Sequence, residues 1–392
     1  MIIKPDYNQS IINLMSSIQQ ALGIPSPYNE LDILGHQKLL KNKNIILFVI
    51  DGLGYNYLLN AGKNSLMSKN LRKKLTSVFL ATTATAITSF ITGVAPNQHA
   101  ITGWRMYLKE IGMATELIQF TTRSGKIPLD KYGLEIKDFF DTKNIFTRTK
   151  IDSYIIYPEN YAHSQFSSAI TKGATLYTFK NLQGLFSQIQ RATKISNRRK
   201  YIYAYWQAFD AVCHKYGTRS KKTLEHFIEI DRYLGKFINL MDKIDAALII
   251  TADHGLIDFN QSEIIELDDH PELTKMMIAP LCGEARVAYC YIKPDRTKEF
   301  EHYIKQYLNN FCWLYKSHEL VKDGWFGLFK EDNKFLDRIG DYVLIMKKNY
   351  IIQDQIPGEP AMASQFKACH GGVSQEEMFV PLIILTKNTS ST

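Results

Sequence analysis

Asn44-Ile-Ile-Leu-Phe-Val-Ile-Asp51-Gly-Leu-Gly54 decides the fold class. An unbroken apolar run, Ile45 to Ile50, stops at a carboxylate followed by a Gly-rich turn. Such a run suits a parallel strand, because helices cover both faces of a parallel sheet and leave no wet side. The pattern returns twice: Tyr201 to Trp206 is followed by Asp210, and Ala246 to Ile250 by Asp253 and His254. Val380 to Leu385 and Leu75 to Leu80 read as further strands. Helical stretches alternate with them. Residues 8–22 carry Ile11, Met15 and Ile18 at helical spacing and end at Gly23 and Pro25. Leu53 to Ala61 and Thr83 to Thr92 follow, then roughly Lys222 to Lys243, with Leu224, Phe227, Ile228, Tyr233 and Leu234 on one stripe. Strands alternating with helices predict an α/β fold, a three-layer core around a mainly parallel sheet.

Residues 271–365 break this rhythm. They hold a strand (Ala285 to Ile292), a helix (Arg296 to Asn309) and a strand near Tyr342 to Met346, punctuated by Gly324, Trp325 and Gly327. The expected organisation is a catalytic core over 1–270, a small α+β cap insertion over 271–365, and a return to the core over 366–392. Lys387 to Thr392 reads as a polar tail.

The 392-residue chain is 45% hydrophobic and 22% charged, an ordinary globular composition. Its net charge of +8 is dispersed. The densest basic group, Arg191 to Lys200, reads as a solvated loop, and the positive excess favours phosphorylated ligands by steering. There is no nucleic-acid module. Five cysteines, an odd count without a C-x-x-C pair, argue against a disulfide framework and for a reducing compartment. Met1 to Ser10 lacks a signal-peptide pattern, and no apolar run is long enough to span a bilayer. The expectation is a soluble cytoplasmic protein acting on a small phosphorylated substrate.

Open α/β sheets bind ligands outside the carboxyl ends of their strands, so residues distant in sequence can meet at one rim. Asp51 suits a dication ligand or a turn residue. Asp210 and His214 are spaced to share a helix face. Asp253-His254 follows a β-branched run, where an unpaired carboxylate would be costly to desolvate. Cys369-His370-Gly371-Gly372 adds an imidazole beside a turn. Thr83 opens a Thr-rich helical stretch. A hydroxyl there sits in the positive potential of a helix N-terminus, as nucleophile or as N-cap. His99 belongs to a loop supporting the site. His36, His163, His226, His270, His302 and His318 are structural or exposed.

Together these segments resemble the type I phosphodiesterase/nucleotide pyrophosphatase family of the alkaline phosphatase superfamily. The matching pieces are Phe48 to Gly54, the Thr-rich stretch through Ile91 to His99, Asp210 to Gly217, Thr251 to Gly255 and His370 to Glu377. The resemblance implies an alkaline-phosphatase-like core with a cap, and two divalent ions, usually zinc, with manganese compatible with the same donors. Asp210, His214 and His370 would hold one ion; Asp51, Asp253, His254 and the nucleophile hydroxyl would hold the other. By the family spacing Thr83 is the nucleophile, with Thr82 as the fallback. The implied activity is hydrolysis of phosphodiester or nucleotide pyrophosphate bonds through a phospho-threonine.

One position departs from the pattern: the family nucleotide pyrophosphatases carry an Asn three residues after the nucleophile, and here it is Ala86. Backbone N–H groups near Ala84, or Thr85, would have to substitute. The alternatives are a phosphomonoesterase or phosphonate hydrolase, for which Arg105 and Lys109 are the candidate extra cations, and a non-catalytic homologue that binds a phosphorylated ligand. Leaving-group recognition is expected from Tyr107 to Lys126, Asp152 to Phe166 and the insertion. Tyr107, Tyr157, Tyr161, Trp325 and Phe326 are there either to stack on a base or to pack.

Overall fold

The computed structural model describes residues 2–141, 143–241, 244–357 and 366–386. The main sheet has seven strands in the order Leu71–Thr76, Phe379–Thr386, Ala246–Thr251, Asn44–Ile50, Lys200–Trp206, Asp152–Pro158, Thr175–Phe179. Only Phe379–Thr386 runs against its neighbours; the remaining pairings are parallel. Successive strand residues point to opposite faces. Every residue of Asn44–Ile50, Lys200–Trp206 and Ala246–Thr251 is buried, so both faces of the sheet centre are covered. Phe48 meets Phe186 of the helix Leu182–Lys194 edge-on, with ring centroids 5.7 Å apart. The helix Lys221–Met241 packs outside it, through Tyr233 and Phe237 against Phe186. The expected α/β class is the one found.

A second seven-stranded sheet is antiparallel, in the order Cys312–Lys316, Tyr342–Met346, Val287–Cys290, Cys282–Gly283, Arg105–Leu108, Met113–Glu116, Thr121–Thr122. Residues 271–365 are therefore not its sole source. Three strands come from 105–122, a stretch expected to be a substrate loop.

Other expectations shift for physical reasons. The strand expected over Leu75 to Leu80 lies instead at Leu71–Thr76. Beyond Thr76 the chain leaves the sheet, and Phe79 packs edge-on against Trp325 and Phe326 at 5.0 Å, so apolarity there reflects packing between layers. On the helix Lys221–Met241 the buried stripe is Phe227, Ile230, Leu234 and Phe237, while Leu224 and Ile228 are 37% and 55% exposed. Leu224 and Ile228 each sit one residue past a buried position, Thr223 and Phe227, and a single step turns a 3.6-residue helix about 100° away from that face. The basic group is not a loop throughout: Arg191 and Lys194 close a helix, and Lys200 is fully buried. The Lys200 ammonium folds back onto the carbonyls of Ser196 and Arg198, at 2.5 and 3.2 Å. Asp152–Pro158 is a buried strand of the main sheet, not a loop. All five cysteines are free and buried. Among the described residues no helix is long and apolar enough to cross a membrane. The tail Lys387 to Thr392 lies outside the described residues, as do Asp242 and Lys243.

Candidate metal centre

Register brings the acids together. Ile50 lies opposite Trp206, and Val49 opposite Thr251. Asp51 and Asp253 each stand two residues beyond that second pair, so they leave neighbouring strands at the same level. Asp210 lies in the first turn of the helix Ala208–Tyr216, with His214 one turn later. His370 arrives from the short strand Ala368–Cys369, which pairs with Ile257–Asp258 just after the Asp253-His254 turn. Thr83 is the first residue of the helix Thr83–Thr92.

All seven expected site residues meet on this rim. His254 Nε2 is 3.4 Å from both Asp51 Oδ1 and Asp253 Oδ2, and 3.2 Å from Thr83 Oγ1. Two clusters have ligand atoms within 4.8 Å of one another: Asp51, Asp253 and His254, and Asp210, His254 and His370. His254 thus bridges the sets that the family pattern separates. His370 stacks on its ring at 3.9 Å. His214 Nε2 is 3.3 Å from Asp210 Oδ2, and its ring lies 5.1 Å from that of His370.

These donors could hold a divalent cation. Asp51 Oδ1, Asp210 Oδ1, Asp253 Oδ2 and His370 Nδ1 are buried without a hydrogen-bond partner. Burial, then the charges of Asp253 and Asp210, holds the Asp51 carboxyl well above the ordinary carboxylate range. Burial raises Asp253 as well. Burial and then neighbouring His254 push His370 well below the usual imidazole value. At Asp210 burial opposes ionisation, but adjacent His214 wins and holds the carboxyl low. Burial works against charge on His214 too, yet Asp210 lifts it above its ordinary value. Each buried ion costs several kcal/mol unless compensated. Carboxylate oxygens and imidazole nitrogens are the donors that zinc and manganese accept.

The far sides of these side chains are tied down, the support that metal ligands ordinarily have. His214 Nδ1 donates to Ala368 O at 2.7 Å, and His254 Nδ1 lies 3.2 Å from Gly255 O. Asp253 Oδ1 accepts from the backbone N–H groups of Gly52 and His254, at 3.1 and 3.0 Å. The Tyr205 hydroxyl donates to Asp51 Oδ2.

Sequence reasoning did not find Tyr205, Glu284 or the Arg286–Glu377 pair. Tyr205 lies inside an apolar strand and carries no signal of its role. Arg286 Nε and Nη2 donate to Glu377 at 3.1 Å. The same carboxylate accepts from Gly372 N at 2.8 Å, and the Glu377 carbonyl accepts from Gly255 N at 2.8 Å. One buried pair therefore ties the second sheet to the turns after both His254 and His370. A Cβ on Gly255 would lie 2.0 Å from the Glu376 carbonyl, so glycine is required there. The Ser374-x-x-Glu377 capping box was the available signal.

Thr82 is the N-cap residue, but its side chain caps nothing and bonds Glu284 instead. The first closed helix bond runs from Ala86 N to Thr82 O, so the earlier amides lack partners inside the helix. Ala86 is fully buried and offers no side-chain donor. His99 supports this helix: its Nε2 lies 3.0 Å from Ser89 Oγ. Lys109 is exposed and bonds Asp337, away from any role as a site cation. Tyr107 packs on Tyr291, Tyr157 on Tyr205, and Trp325 and Phe326 on Phe79. Tyr157, Trp325 and Phe326 are buried packing residues, while Tyr107 is half-buried.

The type I phosphodiesterase / nucleotide pyrophosphatase family model matches residues 45–372, a span that holds every ligand above. Murine ectonucleotide pyrophosphatase / phosphodiesterase 5 shares the fold with a TM-score of 0.64 at 18% identity, covering 86% of this chain and 87% of that one. Phosphonoacetate hydrolase from Sinorhizobium meliloti 1021 gives 0.63 at 16% identity, over 88% and 90% of the two chains. An 89-residue stretch, 20% of this chain, is 32% identical to human bis(5'-adenosyl)-triphosphatase ENPP4 and spans only 19% of that relative. A family match over most of the chain, on an alkaline-phosphatase-like fold, places this protein in the type I phosphodiesterase/nucleotide pyrophosphatase family of hydrolases.

Proposed function

We propose that this protein is a metal-dependent hydrolase of phosphodiester or nucleotide pyrophosphate bonds that works through a phospho-threonine on Thr83. The carrying observation is that His254 Nε2 lies 3.4 Å from the unpartnered oxygens of two buried carboxylates, Asp51 Oδ1 and Asp253 Oδ2, and 3.2 Å from the Thr83 hydroxyl. Two divalent ions, zinc or manganese, would be held by Asp51, Asp253, His254 and Thr83, and by Asp210, His214 and His370. Bound there, they supply Lewis-acid polarisation and a lowered hydroxyl pKa. Thr83 Oγ1 forms the new bond to phosphorus as the bond to the leaving oxygen breaks. Water then cleaves the Thr83–phosphorus bond. The amides at the start of the Thr83–Thr92 helix hold a phosphoryl oxygen in place of the side-chain donor that Ala86 lacks.

A nucleotide substrate is supported by the inactive threonine-to-alanine form of murine ENPP5 solved with AMP. A phosphonate or monoester substrate is the second reading. The buried Ala86 methyl and the shared fold of the phosphonoacetate hydrolase favour it. Comparing rates on bis-nitrophenyl phosphate, nitrophenyl phosphate and phosphonoacetate separates the two. Thr83→Ala is expected to lower turnover by at least about 10³-fold while metal content stays near wild type. A fully active variant would remove Thr83 from this role. Wild type that binds metal and phosphate but turns over no ester would favour the binding-only homologue.

A further inference from the structure

Besides the Arg286–Glu377 pair, Glu284 is a second point at which the second sheet touches the candidate site. It opens the tight turn between Cys282–Gly283 and Val287–Cys290: its N–H donates to Val287 O at 2.8 Å, and Val287 N–H returns to its carbonyl at 3.2 Å. The turn is pressed in closely on several sides. A Cβ on Gly103 would lie 2.8 Å from Gly283 Cα, one on Gly283 would lie 3.3 Å from Leu80, and one on Gly371 would lie 2.6 Å from Glu284 Cγ. The carboxylate thus lies between the residues leading into Thr83 and the glycine that follows His370. Glu284 Oε1 accepts from Thr82 Oγ1 at 2.5 Å and from Trp104 N at 3.3 Å. It belongs to neither ligand cluster.

Two adjacent threonines begin this helix, and the bond to Glu284 tells them apart. An N-cap threonine ordinarily turns its oxygen onto the second or third amide of its helix. Thr82 has the extended backbone of an N-cap (φ −138°, ψ 152°) but makes no such bond; its hydroxyl is turned to Glu284, to which it donates. Two consequences follow. The first-turn amides stay uncapped and available to an anion. The buried Thr82 hydroxyl is engaged, leaving half-buried Thr83 as the hydroxyl facing His254. We infer that Glu284 is a positioning residue for the nucleophile: by accepting from Thr82 and Trp104 it fixes the turn that aims Thr83 Oγ1. The inference rests on Thr83 being the nucleophile.

The test uses zinc-loaded wild type, Glu284→Ala, Glu284→Gln and Thr82→Val, assayed on bis-nitrophenyl phosphate and crystallised. Glu284→Ala is expected to lower kcat by about 10- to 100-fold, with KM within about threefold of wild type and metal content unchanged. Glu284→Gln keeps an accepting oxygen and should recover most of the rate. Thr82→Val should resemble Glu284→Ala, and the double variant should be no worse than Glu284→Ala alone, since all three lose the Thr82–Glu284 bond. In crystals, Thr83 Oγ1 should stay within reach of His254 Nε2 in wild type and Glu284→Gln, and turn away in Glu284→Ala. If Glu284→Ala does not fold, Thr82→Val removes the same bond from the other side and carries the comparison. An unmoved Thr83 in the variants that lose the bond, or a Gln variant as slow as the Ala variant, overturns the inference. If Thr83→Ala were active while Thr83 turned in Glu284→Ala crystals, the nucleophile reading would fall and the positioning contact would stand.

Discussion

Tyr205 donates its hydroxyl to Asp51 Oδ2 from the neighbouring strand, leaving Asp51 Oδ1 as the bare ligand atom. Such support orients a ligand without touching the ion. Tyr205→Phe should therefore weaken metal binding by about 10- to 100-fold, measured by competition with a chelator. An unchanged affinity would mean that packing alone holds Asp51. His99 acts through the helix that carries Thr83. Its Nδ1 accepts from Ile101 N at 3.0 Å, and burial pushes its pKa down to about 3. In the unfolded chain an imidazole takes up its proton near pH 6.5. Between about pH 6.5 and about pH 3 the unfolded state binds a proton that the folded state refuses, so stability falls as pH falls through that window. His99→Gln should flatten that part of the dependence, read from urea midpoints across pH. Parallel curves would refute it. The candidate ligands were legible because Asp51, Asp253, His254 and His370 stand at strand ends or beside glycine turns, and Asp210 and His214 are spaced one helical turn apart. Tyr205 and Glu284 were not, because one hides in an apolar strand and the other finds its partner Thr82 202 residues away.

Elements were legible where burial alone set their pattern. Asn44–Ile50 and Ala246–Thr251 are buried throughout and read as strands at once. The edge strand Leu71–Thr76 carries Arg72, Lys73 and Lys74, the charged protection typical of sheet edges, and so did not read as a strand. The short strands of 105–122 lack the length for a clear alternation. On the helix Lys221–Met241 the corrected stripe has a direct consequence. Ile230→Ala should cost about 2–5 kcal/mol of unfolding free energy. Exposed Ile228→Ala should stay within about 0.5 kcal/mol. Equal costs would restore the discarded stripe. The joint between the layers is the Arg286–Glu377 pair, 1% and 0% exposed. Burial alone would raise Glu377, but Arg286 and the turn amides hold its carboxyl below the ordinary value. Its contribution to stability is therefore present above the unfolded pKa, near about 4.3, and is lost as pH falls through the lower folded value. Glu377→Gln leaves Arg286 buried and uncompensated, at a cost of about 3–5 kcal/mol in denaturant unfolding at neutral pH. A loss well under 1 kcal/mol would show that the pair is not needed at the joint.

At the scale of the whole molecule, a mainly parallel sheet gathers residues from positions 51 to 370 on one rim, and a second sheet meets it through Glu284 and Arg286. The first layer was legible because its strands alternate with helices. Of the second, the strands near 287–290 and 342–346 were legible, but their joining to 105–122 was not, because that pairing is non-local and no sequence window contains it. Metal binding should stabilise the protein by mass action, so chelation should lower Tm and zinc or manganese should restore it. The central claim is that Asp51, Asp253 and His254, with Asp210, His214 and His370, grip two divalent cations beside Thr83. An anomalous-difference map from zinc-soaked crystals tests it most directly. Two peaks about 3.5–4 Å apart, both within bonding distance of these side chains, are predicted. A rim without peaks, or zinc bound only elsewhere, would contradict it.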